Sequence, residues 1–266
     1  MPTPIIRKHQ CDQPPPRFEH ECGGYLRDAP AYGLRRTLQF FERVYEIGAC
    51  FRREKPDETH LSEFLMLDLY SSDFSLDDAM ELATKILSMV YSGSIDQISM
   101  TDHIKERFGI DFYEDYSAEE RFTNSLKEEF KYDEMSFPEM LDLYMKEHIE
   151  PKSLDCCLIV SDFPDSVETR AKRVGKTLRI SRRFEFLING IEVIHGYEDE
   201  TDRTLLRERA TALGQFGLEK EFVSKMIKSG IIPTKSAGFA FGIERLCQVC
   251  LNEADIQRFI ISREFI

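Results

Sequence analysis

CFRREKPDETHLSEFLMLDLY, residues 50–70, reads as two strands joined by a charged loop. Strand side chains alternate between faces. In the first strand Cys50, Arg52 and Glu54 share one face, and Phe51 and Arg53 the other. In the second, Phe64, Met66, Asp68 and Tyr70 share a face, opposite an apolar stripe of Leu65, Leu67 and Leu69. A solvated hairpin has one apolar and one loosely polar face. This one sets its apolar face against a face mixing charge with aromatics, which raises the question of what that second face serves.

Composition narrows the answer. The 266 residues, 42% of them hydrophobic, suffice for one large domain or two modest ones. No apolar run reaches the roughly 18 residues of a membrane span, and the start MPTPIIRKHQ lacks the apolar region of a signal peptide. The seven cysteines are odd in number and unevenly spaced, which argues against a disulfide framework and for a cytoplasmic protein with reduced thiols. A net charge of −13 is not the basic balance of a protein that holds nucleic acid through its backbone, although a local basic patch stays compatible with it.

Along the chain the pattern is α+β. Residues 1–24 are Pro-rich and read as irregular, and 28–40 read as a helix. Ser75 opens a second helix, with Asp77 and Asp78 in its first turn and Leu76, Met80, Ala83, Leu87 and Val90 at helical spacing until Gly93. Two further S-x-x-E caps, Ser117 to Glu120 and Ser136 to Glu139, start helices in 95–152, which reads as a mainly helical, acidic, peripheral insertion. Strand character returns at 156–163, 183–197 and 236–243.

In RFEFLINGIEVIHGY (183–197), Asn189-Gly190 between two strand-like runs is a strong hairpin signal, because both residues tolerate positive φ. The register then sets Ile188 against Ile191, Leu187 against Glu192 and Glu185 against Ile194, with Glu185 and Glu192 diagonal neighbours on one face. Like charges so placed repel unless a cation or a proton lies between them. Mg2+ suits such a pair, with substrate phosphates completing its shell. The alternative is one solvated glutamate and one paired with Arg182 or Arg183. In SAGFAFGIERLCQV (236–249), a strand containing Gly238 and Gly242 runs into a helix near Glu244, and its glycines let a ligand or another backbone approach closely.

Taken in order, Phe51–Glu54, H-L-S-E-F, and G-F-A-F-G-I-E-R resemble motifs 2 and 3 of class II aminoacyl-tRNA synthetases. FERVYEIGACFRRE, EFLMLDLY and RFEFLINGIEVIHGYEDETD resemble the lysyl branch of subclass IIb, and within it the short paralogue that attaches β-lysine to elongation factor P. Thr3–Ile6 is similar to the tail of motif 1. The likeness covers about 25–92 and 156–265. It implies one class II synthetase-like catalytic domain over 1–266, an antiparallel sheet flanked by helices, carrying the insertion at 95–152. It further implies ATP and Mg2+ as cofactors and formation of an aminoacyl adenylate. By resemblance, Arg52 meets the α-phosphate, Glu54 reads the adenine amino group, Phe64 lies under the base, and Arg245 caps the base and holds the γ-phosphate. His60 belongs to the same ATP-binding set. Glu185 and Glu192 are the metal pair, and Asp68 receives the substrate α-ammonium. Tyr70, His195, Asp199 and Ala240 line the amino-acid site.

Departures from the family pattern shape the remaining expectations. The sequence starts within motif 1 and ends just past motif 3, so no anticodon-binding β-barrel is expected, and the short motif 1 leaves a homodimer open. Thr59 stands where the family usually has a second phosphate-binding arginine. Ala31 replaces a glutamate that grips a lysine ε-ammonium, Asp199 is one methylene shorter than its counterpart, His195 replaces an asparagine, and Ala240 replaces a glycine. Lysine is therefore expected to be a poor substrate. Glu198-Asp199-Glu200 either favours a cationic substrate or forms a solvated turn.

Three function classes follow. The first activates an amino acid and transfers it to a non-tRNA acceptor, a protein lysine, carrier or small amine, with tRNA not the expected partner and no membrane partner. The second is an asparagine-synthetase-like amide-forming enzyme, alongside a minimal aminoacyl-tRNA synthetase. The third is an inactive, synthetase-derived regulator. Two smaller clusters are weighed beside them. His9, Cys11, His20 and Cys22 form a repeated H-x-C that fits no standard zinc spacing and reads first as a loop. Cys247 and Cys250 read as core packing.

Overall fold

The computed structural model describes residues 2–7, 19–20, 24–53, 55–131, 134–166, 171–212 and 235–260. The chain divides into two compact units, one of Met1–Tyr91 with Thr201–Ile266 and one of Ser92–Glu200. No helix among the described residues is long and apolar enough to cross a membrane. Glu54, His9, Cys11 and Cys22, and the side chain of His20, lie outside what is described.

The first unit opens with β1 (Ile6–Arg7), β2 (Glu19–His20) and β3 (Gly24–Leu26), a small antiparallel sheet in the order β1-β3-β2 where the sequence reads as irregular. Helix α1 (Ala31–Thr37) follows, shorter than the expected 28–40. Pro30 sets its start with a φ already suited to a helix. At its end the Thr37 hydroxyl donates to the Leu34 carbonyl at 2.7 Å, a local bond that competes with another helical turn. The hairpin is β4 (Arg43–Phe51) and β5 (Glu63–Ser71), paired without a slip from Arg43 opposite Ser71 to Phe51 opposite Glu63. Helix α2 (Leu76–Leu87) starts at the expected capping box of Ser75 and Asp78 and buries Leu76, Ala79, Ala83 and Leu87. After α6 (Arg203–Ala212), β11 (Ala237–Gly242) pairs antiparallel with the other edge of β5 and runs into helix α7 (Ile243–Cys250).

The face of the hairpin that mixes charge with aromatics is the buried one. Glu46, Cys50, Met66, Asp68 and Tyr70 are buried, while Tyr45, Ile47 and Leu65 on the apolar face are exposed. Burying charge requires partners. Arg27 supplies them to Glu46: its Nη1 donates to Glu46 Oε1 at 2.6 Å and to Thr3 Oγ1 at 2.7 Å, and its Nε to the Ala49 carbonyl at 2.8 Å. Gly48 leaves room for this guanidinium, since a Cβ there would stand 2.0 Å from Arg27 Nη2.

The second unit begins with β6 (Ile95–Ser99), followed by α3 (Met100–Phe108), α4 (Ala118–Phe130) and α5 (Phe137–Tyr144). Then come β7 (Cys157–Pro164), the short β8 (Arg173–Val174), β9 (Ile180–Ile188) and β10 (Ile191–Glu198). The segment expected to be a helical insertion thus opens with a strand. β6 pairs parallel with β7, the other pairs of this unit being antiparallel, and α3–α5 form the crossover that a parallel pair demands. Nor are these helices peripheral to their unit: Ile104, Phe122, Leu126 and Tyr144 share one core with Leu158, Val160 and Leu187 of the sheet. Ser136 and Glu139 form the expected capping box, whereas Ser117, though it stands at the N-cap of α4 as expected, makes no side-chain capping bond, its hydroxyl donating to Asp115 at 2.7 Å instead.

Candidate active site

In the first unit the site residues sit around the end of β4 and the start of β5. The sequence places Arg52 inside the strand; β4 ends at Phe51, and the Arg52 N–H donates to the Ser62 carbonyl at 2.9 Å just beyond it. From there the Arg52 guanidinium lies 5.2 Å from the centre of the Phe64 ring. The loop closes through Asp57, whose carboxylate takes bonds from the Thr59 N–H at 2.8 Å and from His60 Nδ1 at 2.9 Å. These bonds, that from the Thr59 N–H foremost, hold the Asp57 carboxyl down to about 2.

Helix α7 fastens that loop. Arg245 Nε donates to the Thr59 carbonyl at 3.0 Å and Gln248 Nε2 to the Glu58 carbonyl at 2.8 Å. Both oxygens of Glu244 accept the Leu65 N–H, at 2.9 and 3.0 Å. Glu244 and Gln248 were not singled out from the sequence. Their signal was the helical spacing itself, which sets residues 244 and 248 on one face.

Further along the same face of β5 lies Asp68, 1% exposed, with Oδ1 making no hydrogen bond. Burial pushes its carboxyl up to about 7, against the pull of the Arg35 guanidinium and the Ala31 N–H, with Glu46 and Asp28 adding to the rise. Ala240 stands directly opposite it on β11. Tyr70 is buried against Leu34 and Leu38, and its hydroxyl accepts from Arg35 Nη2 at 3.1 Å. Its ring lies over Gly238, where a Cβ would come within 2.3 Å of Tyr70 Cδ1. What approaches this glycine closely is the Tyr70 ring together with a backbone group, the Leu69 carbonyl, 2.4 Å from where the Cβ would stand.

In the second unit Asn189 and Gly190 form the expected two-residue turn, at φ 52° and 76°. Ile191 faces Ile188 and Glu192 faces Leu187 as read from the sequence. The register then shifts between Glu192 and Ile194, so that His195, not Ile194, stands opposite Glu185. This corrects the sequence reading. An extra residue in one strand is a β-bulge, and here it brings Glu185, Glu192 and His195 together, each with one ligand atom within 4.8 Å of the others. Burial raises the Glu185 carboxyl; Arg183, 3.4 Å away, pulls it down and Glu192 pushes it further up. Arg182 goes elsewhere, to Asp162 at 3.1 Å.

Glu198, Asp199 and Glu200 are all buried, which rules out the solvated turn. Glu198 binds Lys172 Nζ at 2.7 Å, and Asp199 bridges to Ala171. Cys247 and Cys250 are free, partly buried thiols, with the Cys250 thiol pushed up by burial.

A family model described as tRNA synthetases class II (D, K and N) matches residues 2–261, and the chain belongs to that family. Among curated proteins it is similar to lysine–tRNA ligase of Clostridium perfringens, 28% identical over 89% of this chain and 53% of the relative. It is likewise similar to lysine–tRNA ligase of Dehalococcoides mccartyi, 24% identical over 98% of this chain and 56% of the relative. The chain spans about half the length of the curated relatives it matches.

Proposed function

We propose that residues 1–266 form one catalytic domain, with its insertion at 95–152, which binds ATP and activates an amino acid as the aminoacyl adenylate. The amino-acid carboxylate attacks the α-phosphorus and pyrophosphate leaves. An amine of a protein lysine, carrier or small molecule then attacks the acyl carbon, forming an amide and releasing AMP. The observation that carries this reading is Asp68. It shares a strand face with Phe64, four residues away, which is about 13 Å along a strand and the length scale of an aminoacyl adenylate. A carboxylate oxygen buried without a hydrogen bond is costly unless an ammonium group completes it.

The remaining residues follow from that placement. Phe64 carries the adenine, Arg52 meets the charge that grows on the α-phosphate, and Arg245 binds the triphosphate while fastening the motif 2 loop. Glu185 and Glu192 would hold a divalent ion, and their donor set fits one. That ion would supply charge neutralisation for the phosphates. No side-chain base is needed, because the attacking carboxylate is already ionised.

The assay is pyrophosphate exchange with a panel of amino acids, followed by incubation with total tRNA. Exchange should be strong with an amino acid other than lysine, since Ala31 provides no carboxylate for an ε-ammonium. No tRNA should be charged, because acidic residues outnumber basic ones 48 to 35 and phosphate contacts demand clustered cations. Stoichiometric charging of one tRNA species would show a minimal synthetase instead. Absence of exchange with every amino acid would leave the inactive regulator.

The pH dependence of this assay checks Asp68 directly. An ammonium ion pairs with its carboxylate form, and the carboxyl is held near 7 by burial, with Arg35, Glu46 and Asp28 as its charged neighbours. The amino-acid KM should therefore rise about tenfold per pH unit below that value, while kcat at saturation changes little. In Asp68→Asn the KM should be high at every pH. A wild-type KM that is flat from pH 6 to 8 would show that Asp68 does not receive the ammonium.

A further inference from the structure

We propose that His195 is a metal ligand, and that the site it forms with Glu185 and Glu192 prefers a first-row transition-metal ion such as Mn2+ to Mg2+. The inference deepens the metal assignment made above and rests on it. His195 Nδ1 stands 3.5 Å from Glu192 Oε1 and 3.9 Å from Glu185 Oε1, so the imidazole nitrogen faces both carboxylates. Ions with bonds of ~2.1 Å set their ligands about 3–4 Å apart. The ligand atoms therefore need only small side-chain adjustments to share one ion.

The backbone makes this arrangement. In a regular strand residues 192 and 195 would project to opposite faces. The bulge places Val193 and Ile194 both in the interior and returns His195 to the side of Glu192. Glu185 is itself buried, and two buried or half-buried carboxylates side by side call for a cation. Arg183 reaches Glu185 at 3.4 Å, yet ligand atoms of Glu185, Glu192 and His195 still lie within 4.8 Å of one another.

Ligand chemistry then chooses the ion. Mg2+ takes oxygen ligands and gives up its water reluctantly. Imidazole suits borderline first-row ions such as Zn2+ and Fe2+, and carboxylates suit Mn2+ as they do Mg2+, so the mixed set of two carboxylates and one imidazole is met by a first-row ion at both kinds of donor. A nitrogen donor from His195 thus shifts preference away from the hard ion.

The test uses the metal alone. The chelator-treated chain is titrated with Mn2+, free Mn2+ is followed by electron paramagnetic resonance, Mg2+ serves as competitor, and the bound ion is examined by pulsed methods for coupling to 14N. One tight Mn2+ site with imidazole 14N coupling is expected, and Mg2+ should displace Mn2+ only at about tenfold or greater excess. In His195→Asn and His195→Gln the nitrogen coupling should vanish and Mn2+ affinity fall by at least the ~10-fold that even outer-shell partners are worth. Mg2+ affinity should hold, with far-UV circular dichroism confirming the fold. Wild-type Mn2+ binding without 14N coupling, equal competition by Mg2+, or no binding of Mn2+ would each overturn the proposal. No ATP or amino acid is present, so this outcome is independent of adenylate formation. A chain with the expected Mn2+ spectrum but no pyrophosphate exchange would refute only the activation reading.

Discussion

Replacing Arg52 by glutamine is expected to lower amino-acid-dependent pyrophosphate exchange by about 10²–10³-fold, the cost of losing one preorganised donor to a developing negative charge. The side chain is positioned for such a role by its place one residue past β4, with its N–H tied to Ser62 and its guanidinium over Phe64. It is only partly buried, so its removal should leave the unfolding transition nearly unchanged. The loss should fall on kcat, because the charge it answers grows only in the transition state. Phe64→Leu provides the contrast: it removes the surface under the base, and should raise the ATP KM while sparing kcat. Exchange kinetics with ATP varied at saturating amino acid separate the two effects. An Arg52→Gln enzyme that keeps kcat within about tenfold of wild type would mean that the guanidinium serves Phe64 and the loop rather than phosphate.

The ordered motifs made the family legible, and the hairpins at 50–70 and 183–197 were readable from alternation and from Asn189-Gly190. Three features were not. The bulge before His195 is marked only by Val193 and Ile194, two consecutive apolar residues that break the period of two, and a run so short also fits an unbroken buried strand. The strand Ile95–Ser99 has a single apolar residue at each end of a polar centre, and its parallel pairing with β7 depends on residues about 60 positions away. The buried charge of the first unit was hidden for a different reason. Alternation tells which side chains share a face, but not which face is covered. Arg27 lies outside both strands of the hairpin whose Glu46 it neutralises. The acidic run at 198–200 misled in the same way, since the cations that meet it, Lys172 and Arg182, come from other strands or loops.

That hidden charge carries the largest expected effect on stability. Arg27→Leu should destabilise the protein by about 3–5 kcal/mol at pH 7, the usual consequence of removing one partner of a buried ion pair. Arg27 is 1% exposed and Glu46 8%, so the glutamate left behind has little water to turn to. In the wild type, burial pushes the Glu46 carboxyl up, but the bonds from Thr3 and Arg27 outweigh it and the carboxyl ends below its ordinary value of 4.5. A folded-state pKa lowered in this way contributes stability above the unfolded value, and that contribution is lost as pH falls through the folded one. In the variant burial acts with less opposition, so Glu46 should take up a proton more readily. The gap between variant and wild type should therefore narrow as the pH is lowered toward 4. The double variant Arg27→Leu/Glu46→Leu should recover part of the loss, because two apolar groups of similar size leave no uncompensated charge. Urea unfolding of the four proteins of this cycle, at pH 7 and near pH 4, measures both trends. A single-variant loss below about 1 kcal/mol, or a double variant no better than the single, would show that Thr3 alone satisfies Glu46.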